Sequence, residues 1–262
     1  MKNKIHTGSR PRFSLSWNKP ISCIIPTYNE EKTIVGVIKT CLRVPQIKEI
    51  IIVNDGSQDK TLKKLQPLKN KIKIINFPQN HGKGYAVAQG IKAAHYNYLI
   101  FLDADLINFQ PHYLLSLFQP VLENQVDMTI AAPVSFYNPY YHSWPLSGQR
   151  CLKKSFLINS IKEIEKTGYG LETFLNEKMK GKKIAVIPWF SSKPLHLTKI
   201  NKQKDWVKAY VKETFQVFRQ TIINKQSSYR KKIEMKFIRS LASYFKVNYQ
   251  RLKDYLLEDL EE

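Results

Sequence analysis

Two aspartates one residue apart, Asp103 and Asp105 in LDADL, carry the strongest chemical signal in the chain. Residues i and i+2 leaving a strand point to the same side, so both carboxylates can face one ligand. Carboxylates that close repel unless a cation or a shared proton joins them, and a hard divalent ion holding a diphosphate is the commonest remedy. Asp55, in VNDGSQDKT, stands where a strand-tip carboxylate can accept from a uracil or guanine ring N–H or from a ribose hydroxyl, and Gly56 lets the backbone turn there. Arg150 is the only Lys or Arg between residues 101 and 150, a window that also holds Asp103, Asp105, Glu123 and Asp127. A solitary cation in that setting is suited to a phosphate of donor or acceptor. Glu172, opening the segment LETFLNEK, suits a general base for a hydroxyl. Each signal also has a plainer reading: a lone D-x-D is common, NDGS alone makes a β-turn, and a glutamate favours any helix N-terminus.

These residues need strands to present them. ISCII (21–25), EIIIV (49–53), IKII (72–75), YLIFL (98–102) and MTIAA (128–132) are short β-branched runs that predict buried strands. Helical periodicity lies between them, most clearly with Ile34, Val35, Ile38, Cys41 and Leu42 on one stripe and Glu30 and Glu31 in its first turn. Strand alternating with helix implies an α/β fold with a largely parallel sheet, whose ligands bind at the carboxyl ends of the strands. Residues 133–149 form a Pro- and aromatic-rich stretch without a charged side chain, expected to be a covering loop. A helix with Leu171, Phe174, Leu175 and Met179 inward then precedes a strand, KIAVIPWF (183–190).

Taken in order, PTYNEE (26–31), NDGS (54–57), GKGYA (82–86) and DAD (103–105) closely resemble glycosyltransferase family 2, enzymes of the GT-A fold that use a nucleotide-activated sugar. The resemblance covers roughly residues 20–200. It extends to SGQR (147–150) and GYGLE (168–172), which look like a bacterial branch related to polyprenyl-phosphate sugar transferases and glucosyl-3-phosphoglycerate synthases. It implies that Pro26, Tyr28 and Glu30 line the nucleotide pocket, that Asp55 holds the base and that Lys83, between Gly82 and Gly84, lies near the nucleoside and phosphates. By the same resemblance Asp103 contacts ribose or metal, Asp105 binds Mg²⁺ or Mn²⁺, and His196 completes the metal shell or touches the diphosphate. The metal would stabilise charge on a departing UDP or GDP as the sugar C1 bond breaks. The chain departs from the processive and many inverting members in lacking an ED pair and a QxxRW signature, so neither polymer building nor the base follows from the likeness.

Composition bounds the rest. The 262 residues hold 42 Lys and Arg against 21 Asp and Glu, a net charge of +21, and 43% hydrophobic residues support a real core. Such a charge calls for an anionic partner. A nucleic-acid-binding module ranks behind, because no nucleic-acid-binding motif occurs and the strand-tip cluster is acidic, and the intact DAD argues against a membrane-peripheral non-catalytic protein. Cys23, Cys41 and Cys151 are too few and too scattered for a disulfide framework, which fits a reducing cytoplasm. No apolar run approaches the ~20 residues of a membrane span. The expected organisation is a flexible basic arm (1–20), a GT-A domain (21–200) and a basic amphipathic helical extension (201–262). In that extension Val207, Val211, Phe215, Phe218 and Ile222 form one stripe, and Ile233, Phe237, Leu241 and Phe245 another. Arg230, Lys231, Lys232, Lys236 and Arg239 around the second suit an anionic membrane surface, placing the protein in the cytoplasm on the inner membrane face. An ionised polyprenyl phosphate, which needs no strong base, is the favoured acceptor, with a small phosphorylated hydroxyl compound such as 3-phosphoglycerate as the alternative.

Overall fold

The structure, a computed structural model, describes residues 19–135 and 146–191. The basic arm, His196 and the C-terminal stripes lie outside these, as does most of the aromatic-rich stretch. Seven strands make one sheet: β1 (Ile21–Thr27), β2 (Ile47–Asp55), β3 (Lys73–Phe77), β4 (Tyr98–Phe101), β5 (Met128–Ser135), β6 (Arg150–Lys153) and β7 (Ile184–Ser191). Their spatial order is β3-β2-β1-β4-β6-β5-β7. All neighbouring pairs are parallel except those of β6, which runs antiparallel to β4 and to β5.

The inner strands are apolar on both sides because both sheet faces are covered, whereas the edge strand β3, expected to be buried, has no buried residue. On one face Cys23, Ile25, Ile52 and Ile100 pack with α1 (Ile34–Cys41) and α4 (Pro111–Leu122). On the other, Ile24, Ile51, Val53 and Leu99 pack with α3 (Lys83–Ala93), Ile164 of α5 (Ile161–Glu165), and Leu171 and Leu175 of α6 (Leu171–Lys178). A short α2 (Thr61–Leu65) follows β2. The three cysteines are buried free thiols. Among the described residues no helix is long and apolar enough to cross a membrane.

Three expectations need adjustment. The first helix starts at Ile34, so Glu30 and Glu31 precede it and its first turn holds no acid. The Glu30 and Glu31 amides donate to Thr61 Oγ1, at the start of α2, and to Asp59 Oδ2, which docks the segment before α1 on the neighbouring one. The buried stripe is Ile34, Val37, Ile38 and Cys41, whereas Leu42 is 41% exposed. The antiparallel β6 was not anticipated: its four residues, RCLK, are too short and too charged at the ends to show a strand period.

Candidate active site

The loops after β1 and β2 are sewn together by side chains. Asn29, held at φ 56°, donates its backbone N–H to Ser57 Oγ at 2.9 Å, and its Oδ1 accepts from the Gln58 amide at 2.8 Å. The Glu30 N–H reaches Thr61 Oγ1 at 2.8 Å, and Glu31 Oε2 accepts from the Lys60 amide at 2.9 Å. Burial pushes the Asp59 carboxyl up, but bonds from Thr61 and the Glu31 amide outweigh it and hold the group below its usual value. Tyr28, at the tip of the first loop, is 43% exposed.

Asp55 ends β2 and is 3% exposed. Its Oδ1 accepts from the His81 amide at 2.9 Å and its Oδ2 from the Gly82 amide at 2.8 Å, so it fixes the turn that leads into α3. Gly56 has φ +73°, and a methyl group there would overlap the Gln79 backbone. Gly82 has φ +95° and caps α3. Gly84 has a different reason: a methyl on it would run into Thr167 Oγ1 and the Ile164 carbonyl, so this glycine lets α3 pack closely on the 164–168 segment.

Lys83, the first residue of α3, stands between two acids. Its ammonium lies 2.7 Å from Asp103 Oδ1 and 2.6 Å from Glu172 Oε1. Burial would lower its pKa, but the Asp103 and Glu172 carboxylates outweigh that and raise it. Glu172, in the first turn of α6, is 5% exposed. The helix therefore brings a carboxylate from 89 residues away onto the same ammonium as the one just beyond β4. Arg150 is wholly buried beneath them. Its Nε donates to the Ser147 carbonyl at 2.9 Å and its Nη1 to Asn176 Oδ1 at 2.6 Å. Burial lowers its pKa to about 10, against the opposing pull of Glu172 and Asp103. Asn176 lies one helical turn from Glu172, so Arg150 ties the strip before β6 to the helix that carries the acid. Pro26, Lys83, Asp103, Gly148, Arg150 and Glu172 line one pocket.

Asp105, 8% exposed, follows on the same loop as Asp103. Among the described residues no group of three or more His, Cys, Asp or Glu side chains could hold a metal. Two hard carboxylates fit Mg²⁺ or Mn²⁺ only where other oxygens complete the shell, as phosphates do.

Four residues of this site escaped the sequence-based expectations: Ser147, Gly148, Gln149 and Asn176. Gln149 Nε2 donates to Asp103 Oδ2 at 2.5 Å, and its Oε1 accepts from Ser147 Oγ at 2.8 Å. A methyl on Gly148 would overlap the Asp103 carboxylate and crowd the Lys83 ammonium. The cause is β6, whose pairing of Arg150 with Phe101 sets residues 147–149 beside the chain leaving β4. The motif SGQR was the available signal, but without the strand it had no partner.

A mixed seven-stranded sheet in this order, with Asp55 at the end of β2 and Asp103 just beyond β4, has the GT-A fold of glycosyltransferases. It matches glucosyl-3-phosphoglycerate synthase from Mycobacterium tuberculosis with a TM-score of 0.61 and 19% identity, over 82% of this chain and 85% of that one. Mannosyl-3-phosphoglycerate synthase from Rubrobacter xylanophilus gives 0.62 and 18%, over 81% and 76%. The chain belongs to glycosyl transferase family 2, whose model matches residues 22–223. Poly-beta-1,6-N-acetyl-D-glucosamine synthase of Staphylococcus aureus is 36% identical over 117 residues, 43% of this chain and 28% of that protein. An uncharacterized glycosyltransferase of Synechocystis is 44% identical over 93 residues, 33% of this chain and 29% of that protein. The matched stretches thus span less than a third of either relative.

Proposed function

We propose that this chain transfers one sugar from a nucleoside diphosphate sugar to an acceptor hydroxyl, with a divalent metal. The carrying observation is Lys83, clamped between Asp103 on the strand-tip side of the pocket and Glu172 on the helix side. Asp103 and Asp105 would hold Mg²⁺ or Mn²⁺ together with diphosphate oxygens, which explains why the protein supplies so few ligands itself. Bound there, the metal supplies charge stabilisation for the departing nucleoside diphosphate. Lys83 adds a second positive charge facing the same group. Pro26, which lines the pocket, with Tyr28 and Glu30 on the loop that follows it, would form the nucleotide side, and Asp55 would set that side by fixing the turn before α3. Structures of the mycobacterial synthase with Mn²⁺ and UDP-glucose support the same donor class here.

The acceptor reading shifts with the geometry. Glu172 faces the pocket, where it would repel a phosphate nucleophile but can take the proton of a hydroxyl. Arg150, suited by its setting to a phosphate of donor or acceptor, is fully buried and bonds Ser147 and Asn176. Glu172 therefore favours a hydroxyl acceptor over polyprenyl phosphate, and the mycobacterial synthase solved with phosphoglyceric acid supports a small phosphorylated one.

The test offers UDP- and GDP-sugars with Mn²⁺ to 3-phosphoglycerate and, separately, to a short polyprenyl phosphate. Transfer to the first is expected, falling on the order of 100-fold or more in Asp105→Asn and with excess EDTA. Undiminished turnover under either condition would remove the metal, and transfer to polyprenyl phosphate alone would remove the hydroxyl acceptor.

A further inference from the structure

We infer that Gln149 is a positioning residue that sets the Asp103 carboxylate for the donor, and that Ser147 acts through it. This rests on the reading of Asp103 as a donor-side group. The observations are independent of that reading. Gln149 is 1% exposed, so water cannot satisfy its amide. An ionised carboxylate only accepts hydrogen bonds, so the NH₂ end of Gln149 must face Asp103 Oδ2. The carbonyl end is then turned toward Ser147, whose hydroxyl donates to it at 2.8 Å. The flipped amide would set an oxygen against the Asp103 carboxylate, so Asp103 fixes the orientation and the nearly buried Ser147 hydroxyl holds the carbonyl end in place.

The surroundings make this strip a fixed support rather than a passing contact. Gly148 lies so close to Asp103 and Lys83 that no side chain fits between them. Arg150 anchors the strip from below through the Ser147 carbonyl, and Asn176 holds that guanidinium from α6. Asp103 is thus held by Lys83 on one oxygen and by Gln149 on the other, which fixes the plane of its carboxylate. A donor that binds Asp103 meets a group already oriented. Without Gln149 the carboxylate can rotate about its last torsion, and part of the binding energy goes into ordering it.

The experiment is calorimetric titration of the full chain with UDP and with GDP, each with Mn²⁺, for wild type, Gln149→Leu, Ser147→Ala and the double variant. For the nucleotide that wild type binds, Gln149→Leu is expected to weaken affinity about tenfold, the effect of one hydrogen bond to a charged group. Ser147→Ala should weaken it about threefold. The double variant should match Gln149→Leu alone, because the hydroxyl acts only through the amide. In steady-state transfer the KM for donor should rise by the same factors with kcat little changed. Should the leucine variant not fold, Ser147→Ala alone decides, a threefold loss supporting the inference and unchanged affinity overturning it. Equal affinity in all four proteins overturns the inference and leaves the proposed function standing, and so does a double variant whose loss is the product of the two single losses. Failure of wild type to bind either nucleotide with Mn²⁺ overturns the donor reading itself, and the inference with it.

Discussion

The two sides of the site are held by different forces. Around Tyr28, Asn29 and Asp55 the loops are joined by side chains bonded to backbone amides, with Ser57, Asp59 and Thr61 as partners. Around Lys83 the pocket is joined by charge: one ammonium, two carboxylates and a buried guanidinium. The first arrangement fixes the path of the backbone and tolerates a ligand arriving beside it. The second fixes charged groups against one another, so a ligand that adds or removes charge must change the arrangement it enters.

The sharpest break of this contrast is Lys83→Met. It leaves Asp103 and Glu172 facing each other without their shared cation, and stability should fall by roughly 2–3 kcal/mol, less than for a fully buried pair because Lys83 is partly exposed. Chemical denaturation reads the loss, and transfer should be lost with it. Unchanged stability would show that the clamp contributes little to folding. Asp55→Ala comes next. The side chain donates nothing, but two backbone amides lose a charged acceptor, and nucleoside diphosphate binding should weaken by ~1–3 kcal/mol in calorimetry. A variant that binds UDP and GDP as wild type does would separate that loop from the nucleotide.

The smallest effects are in pH, and they run in opposite directions on the two sides. Asp59 is held below its ordinary value of 3.8, so its contribution is complete above that pH and is lost as pH falls further. Asp59→Asn should flatten the acid limb of stability. Lys83 is held above its ordinary value of 10.5, so its contribution is complete below that pH and is lost only as pH rises beyond it. Lys83→Met should flatten the alkaline limb instead. Thermal melts from acid to alkaline pH distinguish the two, and identical profiles for both variants would erase the contrast.

The inner strands of the parallel half of the sheet were legible because they are buried on both faces and announce themselves as unbroken apolar runs. EIIIV lies within β2, and MTIAA opens β5. The positions of Asp55, Lys83, Asp103 and Glu172 at strand ends and helix starts were legible too, though not that Lys83 would join two of the acids. What stayed hidden depended on contacts between distant segments. Gln149 meets Asp103 across 46 residues through a strand too short to carry a period. Gly84 lets one helix lie against the 164–168 segment, a packing role that only its distant neighbours reveal. Glu30 and Glu31 suit a helix start by type and lie just before one, but that their amides dock on Asp59 and Thr61 depends on a segment about thirty residues on.

The clamp also decides how the site answers ionic strength. The pocket is lined by two cations, Lys83 and Arg150, and two anions, Asp103 and Glu172, which sum to zero within a chain of net charge +21. The long-range field that draws an anionic donor toward the molecule therefore comes from the remainder of the protein, and salt screens it over a Debye length of about 10 Å at 0.1 M. Retention inside the pocket depends on contacts much shorter than that length. Added salt should slow the arrival of the donor far more than it hastens its escape.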